Sequence, residues 1–301
     1  VDARQLKYFL AVVDNGGISK AAQALLIAQP SLSQAIATLE RDLGVPLFHR
    51  VGRNVVLSEA GTELVGPARV VLRDLDDARA SVEALKGLRT GRVDIVTMPS
   101  PGIEPLTTIL TRFAVTYPAV TVNSEAAFTP EEVLEAVRTG ICEVGILGSP
   151  DEMRAPELDV VALESQPLIL ISGQSAMSGA VGDIDRLDLQ GLRLIVSQRG
   201  SLMRTLVDDV LASGVDATIA AEVAHRTSIL PMVLSGFGHA VMPSAWAPSA
   251  RQAGAVVRRI VPESYLHVAA VSRRTHLTPP ARVLMDEARN YAEHPVVSWE
   301  S

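Results

Sequence analysis

Along the first sixty residues the apolar positions fall into helical stripes. Leu6, Phe9, Leu10 and Val13 recur at helical spacing, and Asn15-Gly16-Gly17 closes that segment. Ser19 suits the N-cap of a short second helix over 20–26, in which Ala21, Ala22 and Leu25 permit close packing. A third helix starts after Ile27-Ala28, with Pro30 in its first turn. Its Leu32, Ile36, Leu39 and Leu43 are spaced four, three and four apart and form one buried stripe. Gly44 then caps it, and Val45-Pro46 prevents it from resuming. Segments 48–51 and 55–57 flank Gly52-Arg53-Asn54, which predicts a short hairpin, or wing.

Beyond residue 58 the period changes. Leu64, Ala68, Val71, Leu75, Ala78, Val82 and Leu85 alternate spacings of four and three, a heptad seam. A helix over that span is about 33 Å long. Pro67 should kink it near its start by clashing with the carbonyl of Glu63. A long helix with a narrow seam between two domains suits pairing with another chain; the alternative is packing on its own domain. Gly87 and Gly91 predict a hinge after it. Strand patterns follow at 92–97, 120–124, 143–147, 168–172, 192–196, 218–223 and 238–242. Helical patterns lie at 106–117, 130–138, 202–212, 228–234 and 280–291. This alternation predicts α/β domains with largely parallel sheets. A break near 164–165 and a return near 265 predict two subdomains, with the chain crossing between them twice and the last helix rejoining the first.

Composition narrows the function. The chain has 301 residues, 48% hydrophobic and 20% charged, enough for two domains with cores of their own. Aromatic residues make up only 4%, so those cores must be built from Leu, Val, Ile and Ala. No apolar run approaches the length of a membrane span, and Asp2, Arg4 and Lys7 stand where an export signal would be apolar. A cytoplasmic protein without a membrane partner is therefore expected. Cys142 is the single cysteine, which excludes an internal disulfide and a cysteine-rich zinc site. It stands in an apolar stretch and reads as a small core residue. The formal net charge is −7, yet residues 1–60 balance at +1 and the remainder at −8. A weakly basic module on an acidic body suits specific nucleic-acid binding helped by dimerisation.

The chemistry of that module lies off the apolar stripe of the third helix. Gln29, Ser31, Ser33, Gln34 and Thr38 present hydroxyls and amides, with Arg41 behind them. Such groups read base edges, glutamine pairing with adenine and serine donating or accepting. A helix with polar residues at its N-terminal end, braced by a short preceding helix, has the geometry of a helix-turn-helix. Arg53 at the wing tip suits a narrow minor groove.

The ordered run Leu6-x-x-Phe9, Ala21-Ala22-x-x-Leu25, Gln29-Pro30-Ser31-Leu32-Ser33, Ile36-x-x-Leu39-Glu40, Leu43-Gly44-Val45-x-Leu47-Phe48-x-Arg50 and Leu57-x-Glu59-Ala60-Gly61 resembles the LysR-type DNA-binding domain. The resemblance implies that Gln29, Pro30, Ser31, Ser33, Gln34 and Arg53 face double-stranded operator or promoter DNA. Ser19, Lys20, Thr38 and Arg50 join the expected DNA surface. Ala28 and Gly17 depart from the family's usual hydroxyls, and the loss at Ala28, where the third helix starts, removes about 0.5–2 kcal/mol of capping or one phosphate contact.

Further on, Phe113-x-x-x-Tyr117-Pro118-x-Val120 and Leu234-Ser235-Gly236-Phe237-Gly238 through Met242-Pro243 resemble the family's effector domain. The fold implied is α/β with an N-terminal all-α winged helix-turn-helix, and a periplasmic-binding-protein-like effector domain of two α/β subdomains. The expected domains are 1–58 for DNA binding, 59–88 for the dimerising linker helix and 89–301 for effector binding. Within the last, subdomain I takes 91–163 and 266–301, and subdomain II takes 164–265. The implied partners are DNA, further copies as a homodimer or homotetramer, and a small-molecule effector, with RNA polymerase open as another. No cofactor and no metal is implied.

In open α/β sheets, ligands bind beside strand ends and helix starts. That places Ser100, Pro101, Thr129 and Gly148 on one subdomain and Gln198, Arg199, Gly200, Ser201 and Thr227 on the other as effector contacts. Thr129 also opens a capping box, Thr129-Pro130-Glu131-Glu132, and so has a structural alternative. Arg199 would clamp a carboxylate, which makes a small organic acid the expected effector; matching to the family's cleft supports Ser100, Thr129, Gln198 and Ser201 better. An enzyme is the first rival, opposed by the lack of Gly-x-Ser-x-Gly, His-Glu-x-x-His or a phosphate loop, and by six scattered histidines. A transporter's solute-binding protein is the second, opposed by the attached DNA-binding module.

Overall fold

The computed structural model describes residues 1–51, 54–84, 91–174, 182–212 and 214–295. It begins with α1 (Ala3–Asp14), α2 (Ile18–Ala24) and α3 (Gln29–Leu43), packed around Leu6, Phe9, Leu10, Ala21, Ala22, Leu32, Ile36 and Leu39. Asp2 caps α1 through a full capping box with Gln5. Gly44 ends α3 at φ 73°, the left-handed conformation that glycine adopts without steric cost. Ser19 is not the cap of the second helix. Gly17 occupies that position without a side-chain bond, and Ser19 lies one residue inside the helix.

The wing strands β1 (Phe48–Val51) and β2 (Asn54–Leu57) pair antiparallel. Glu40 holds the wing to α3, accepting hydrogen bonds from the backbone N–H of Leu47 at 2.8 Å and of Phe48 at 3.2 Å. Ser58 closes the same corner, donating to the Pro46 carbonyl at 2.7 Å and accepting from the Gly61 N–H at 3.0 Å.

From that corner runs the 26-residue α4 (Glu59–Ala84), with Pro67 inside it. The expected seam divides along its length. Ala68 is buried and Leu64 half-buried against the first domain of the same chain, where Leu72 from outside the seam joins them. Val71 and Leu75 are more than 40% exposed. A straight helix advances 3.6 residues per turn, so a 3.5-residue stripe drifts around it and reaches the α1 side at one end only. Arg69 pairs with Asp14 across the α1–α4 contact. Ala78, the next seam position, is exposed as well; the side chain of Val82, and residues Leu85 and Gly87, lie outside the described residues.

The remaining chain folds as two lobes on a mixed sheet. Lobe I carries β3 (Gly91–Thr97), α5 (Pro99–Ile103), α6 (Leu106–Thr116), β4 (Val120–Ala126), α7 (Pro130–Arg138) and β5 (Val144–Ser149). The 15-residue β6 (Leu158–Ser172) then leads out of it. Lobe II adds β7 (Ile184–Asp185), β8 (Arg193–Ser197), α8 (Leu202–Leu211), β9 (Thr218–Val223), α9 (Ile229–Leu234), β10 (Ala240–Pro243), α10 (Ala247–Gln252) and β11 (Val256–Val261). The chain returns through β12 (Tyr265–Arg273) to α11 (Pro279–Glu293), which lies on lobe I.

The main sheet runs β4-β3-β5-β12-β6-β11-β7, with β10 also on β6. Its β3, β4 and β5 are parallel, but β12 is antiparallel to both β5 and β6, and β10 and β11 are antiparallel to β6. The expectation of largely parallel sheets is therefore corrected. A chain that leaves one lobe and later returns must run out on β6 and back on β12, so these neighbours oppose one another. Cys142 is buried in the lobe I core as expected.

Gly61 shows how tightly the α4 corner is built, because a Cβ there would stand 2.1 Å from the Leu47 carbonyl oxygen. That oxygen already accepts the Ser58 N–H at 2.9 Å and cannot move freely. Gly61→Ala is expected to destabilise the first domain by about 1–3 kcal/mol, the usual cost of overpacking. Thermal unfolding of the full chain checks it, and an unchanged midpoint would contradict this packing.

Candidate DNA-reading surface and effector site

The N-terminal half of α3 presents a polar edge. Gln29, Pro30, Ser31 and Gln34 are exposed, and Ser33 and Thr38 lie along the same helix. Ser19 and Lys20 of α2 are exposed too, and the Ser19 hydroxyl donates to the Gln29 side-chain oxygen at 3.3 Å. These residues therefore share one edge of the helix pair. Thr38 is already engaged: its hydroxyl donates to the Gln34 carbonyl at 2.9 Å and accepts from Arg41 at 3.0 Å. Between the helices Leu26 adopts φ 54° and is 92% exposed, beside the polar edge. The Arg50 side chain and Arg53 lie outside the described residues.

The effector candidates separate into three groups. Thr129 is the N-cap of α7, accepting from the Glu132 N–H at 3.3 Å while Glu132 accepts from the Thr129 N–H at 3.2 Å. Gly148 is buried at the end of β5, where a Cβ would stand 2.6 Å from Leu266. At the start of α8, Gln198, Arg199 and Gly200 are exposed, and Ser201 is consumed as N-cap, donating to the Gln198 carbonyl at 2.8 Å. The Arg199 side chain is 82% exposed and faces Glu222. The buried cation beside it is Arg204, fully paired by Asp208 and Glu222 at 2.8 Å each. Thr227 is exposed in the 3-10 turn Arg226–Ser228.

The third group joins the lobes. Ser100 and Pro101 of α5 are buried, and α5 packs against the 3-10 turn Ser244–Trp246 of lobe II. The Ser100 Oγ, 1% exposed, accepts from the Arg226 guanidinium Nη1 at 3.2 Å and from the Trp246 indole at 3.2 Å. Nearby, Ile103 packs on the lobe II core around Ile169, Ile229 and Trp246. Arg226 is only 8% exposed, and its Nη2 is buried without a hydrogen-bond partner. Among the described residues no carboxylate pairs with it, and burial alone pushes its pKa down to about 10, so it remains a cation at neutral pH.

Sequence reasoning reached Ser100 through its strand-end position but missed Arg226 and Trp246. The signal available was slight: Arg226 directly precedes Thr227, already singled out, and Trp246 is one of two tryptophans in an aromatic-poor chain.

Two family models match along the chain. One, described as a bacterial regulatory helix-turn-helix protein of the lysR family, covers residues 3–62. The other, the LysR substrate binding domain, covers residues 86–293. The chain belongs to the LysR family of transcriptional regulators.

As a LysR-type regulator it carries a DNA-binding helix-turn-helix and an effector-binding domain. Its relatives include the regulator YfeR of Shigella flexneri, 26% identical over 95% of this chain and 93% of that one. The regulator TcbR of Pseudomonas sp. strain P51 is 29% identical over 82% and 84%. Among solved structures, a full-length point variant of OxyR from Pseudomonas aeruginosa shares the fold with a TM-score of 0.73 at 22% identity, over 98% of this chain and 95% of that one. Full-length CbnR complexed with its target DNA gives 0.68 at 25% identity, over 97% and 100%. Among the described residues no helix is long and apolar enough to cross a membrane.

Proposed function

We propose that this regulator holds operator DNA in the cytoplasm as an assembly of copies paired along α4, and that a small organic acid bound between its lobes alters that hold. The observation that carries the reading is Ser100, a lobe I hydroxyl bonded to two lobe II side chains. A ligand seated there touches both lobes and favours one relative arrangement, which is what coupling to DNA requires. A preference of about 1–3 kcal/mol suffices for useful switching. Footprints on DNA upstream of the coding region, taken with a panel of organic acids, test it. At least one acid should change the footprint of the native protein and fail to do so with Ser100→Ala. A footprint indifferent to the whole panel would contradict the organic-acid reading.

The polar edge of α3 reads sequence and α2 supplies phosphate contacts in this scheme. Gln34→Ala is expected to cost about 1–3 kcal/mol at one base pair of the operator, whereas Lys20→Ala weakens all sequences alike and lowers the salt slope by about one. Titrations at several salt concentrations on native and mutated operators separate the two. Equal behaviour of both variants and the native protein would remove α3 as reader.

Val71 and Leu75 belong to the stretch of seam left exposed by the chain's own packing, and a second α4 covers it. Leu75→Asp should lower the molar mass in light scattering while leaving the helical circular dichroism unchanged, because a charge buried between helices has no counter-ion. Retention of the native mass would show that copies meet elsewhere.

A further inference from the structure

Other arginines of the effector domain that are buried or part-buried are neutralised or anchored. Arg204 meets two carboxylates, Asp208 and Glu222. Arg273, part-buried, donates to the carbonyls of Val137 and His276. Arg226 has one neutral side-chain partner, the Ser100 hydroxyl, and leaves Nη2 buried with none. Burying an unpaired charge is costly, and it persists in a fold only where it does something.

The Ser100 hydroxyl sharpens what that is. A hydroxyl offers two lone pairs and one hydrogen. Both lone pairs are taken, by Arg226 Nη1 and by Trp246 Nε1 at 3.2 Å each. Its hydrogen therefore points away from both donors, and no acceptor for it lies within hydrogen-bond reach among the described residues. At the junction of the lobes, one guanidinium nitrogen of lobe II and one O–H of lobe I are thus donors without acceptors. A neutral ligand satisfies the second but leaves the first uncompensated in charge. A carboxylate answers both, its two oxygens taking Nη2 and the Ser100 hydrogen while its charge neutralises Arg226.

We infer that Arg226, and not Arg199, is the anion-recognition residue of the effector site, and that the effector presents a carboxylate to Arg226 and Ser100 across the lobe junction. The inference rests on the reading that an organic acid binds between the lobes, and it places that acid's charged end. Trp246 holds Ser100 from the other side and orients its hydrogen, and Ile103 and Trp246 border the junction with apolar surface. Arg199, 82% exposed and beside Glu222, stays in solvent.

Sodium formate, the smallest carboxylate, is the probe, because it needs no knowledge of the rest of the effector. The full-length protein, Arg226→Met and Arg199→Met are melted in formate, in sodium chloride of equal ionic strength and in formamide. Formate should raise the unfolding midpoint of the native protein and of Arg199→Met, and formamide should raise neither. In Arg226→Met the apparent affinity for formate should fall about tenfold or more, as expected for a lost charge-assisted hydrogen bond. Without any probe, Arg226→Met should melt at or above the native midpoint, because an apolar side chain replaces an unpaired buried charge.

Equal formate responses in the native protein and Arg226→Met would overturn the assignment while leaving the organic-acid reading intact. No formate response in the native protein overturns it as well, and the footprints with the acid panel then decide the wider reading separately. A variant that melts well below the native protein would make Arg226 a structural residue, which also overturns it.

Discussion

Two antiparallel strands carry the chain between the lobes, and the rest of the effector domain is arranged about them. On one side β6 pairs with β12 from Leu158 to Pro167; farther along, the same strand pairs with β10 and β11 from Leu168 to Ser172. One continuous strand thus belongs to the sheet of each lobe in turn. The β6–β12 register slips between Val268 and Ala269, a local irregularity of the kind that bends a ladder without breaking it. At the crossing Gln166, 3% exposed, donates to the Glu104 carbonyl at 2.8 Å and to the Glu164 carboxylate at 2.6 Å. Tyr291 of α11 donates to the other Glu164 oxygen at 2.5 Å. The crossing is a hydrogen-bonded ladder clamped from lobe I.

Beside this crossing the lobes also meet at α5, whose Glu104 N–H bonds the Ser100 carbonyl. There Ser100 bonds Arg226 and Trp246, and Ile103 packs on the lobe II core. They are modest beside the ladder: two hydrogen bonds to a neutral hydroxyl are worth about 1 kcal/mol each. Against them stands the buried, uncompensated charge of Arg226. The junction is accordingly a place where a few kcal/mol of ligand binding can shift the balance between arrangements. In the DNA-binding domain the balance is different. Phe9, Leu32 and Leu39 are fully buried and Glu40 ties the wing to α3, so this reader is a tightly packed unit.

How much of this was legible from sequence follows from the range of each interaction. The N-terminal helices and the wing depend on local periodicity and on Pro30 and Gly44; the first and third helices and the wing fall where the pattern puts them, whereas the second starts two residues early and Leu43, at the end of the third stripe, is exposed. The first two-thirds of β6 was not legible, because Asp159 and Glu164 interrupt its apolar pattern. Both are answered by α11, through Arg289 and Tyr291, more than a hundred residues downstream. For α4 the heptad was visible but not its division, since the burial of Ala68 depends on α1 of the same chain. In the candidate effector site Ser100 was legible from its place after β3. Arg226 was not, because nothing in the order of residues distinguishes an arginine buried without a carboxylate from Arg199, which lies in solvent.

The central claim is that a carboxylate at the lobe junction changes how the lobes sit relative to one another. Spin labels at Thr111→Cys on α6 and Asp209→Cys on α8, both exposed, report that relation directly, and the buried Cys142 does not compete for label. Electron-spin distance distributions are measured on the full-length protein in sodium formate and in sodium chloride of equal ionic strength. The expected result is a shifted or narrowed distribution in formate. Superimposable distributions at saturating formate would contradict the claim.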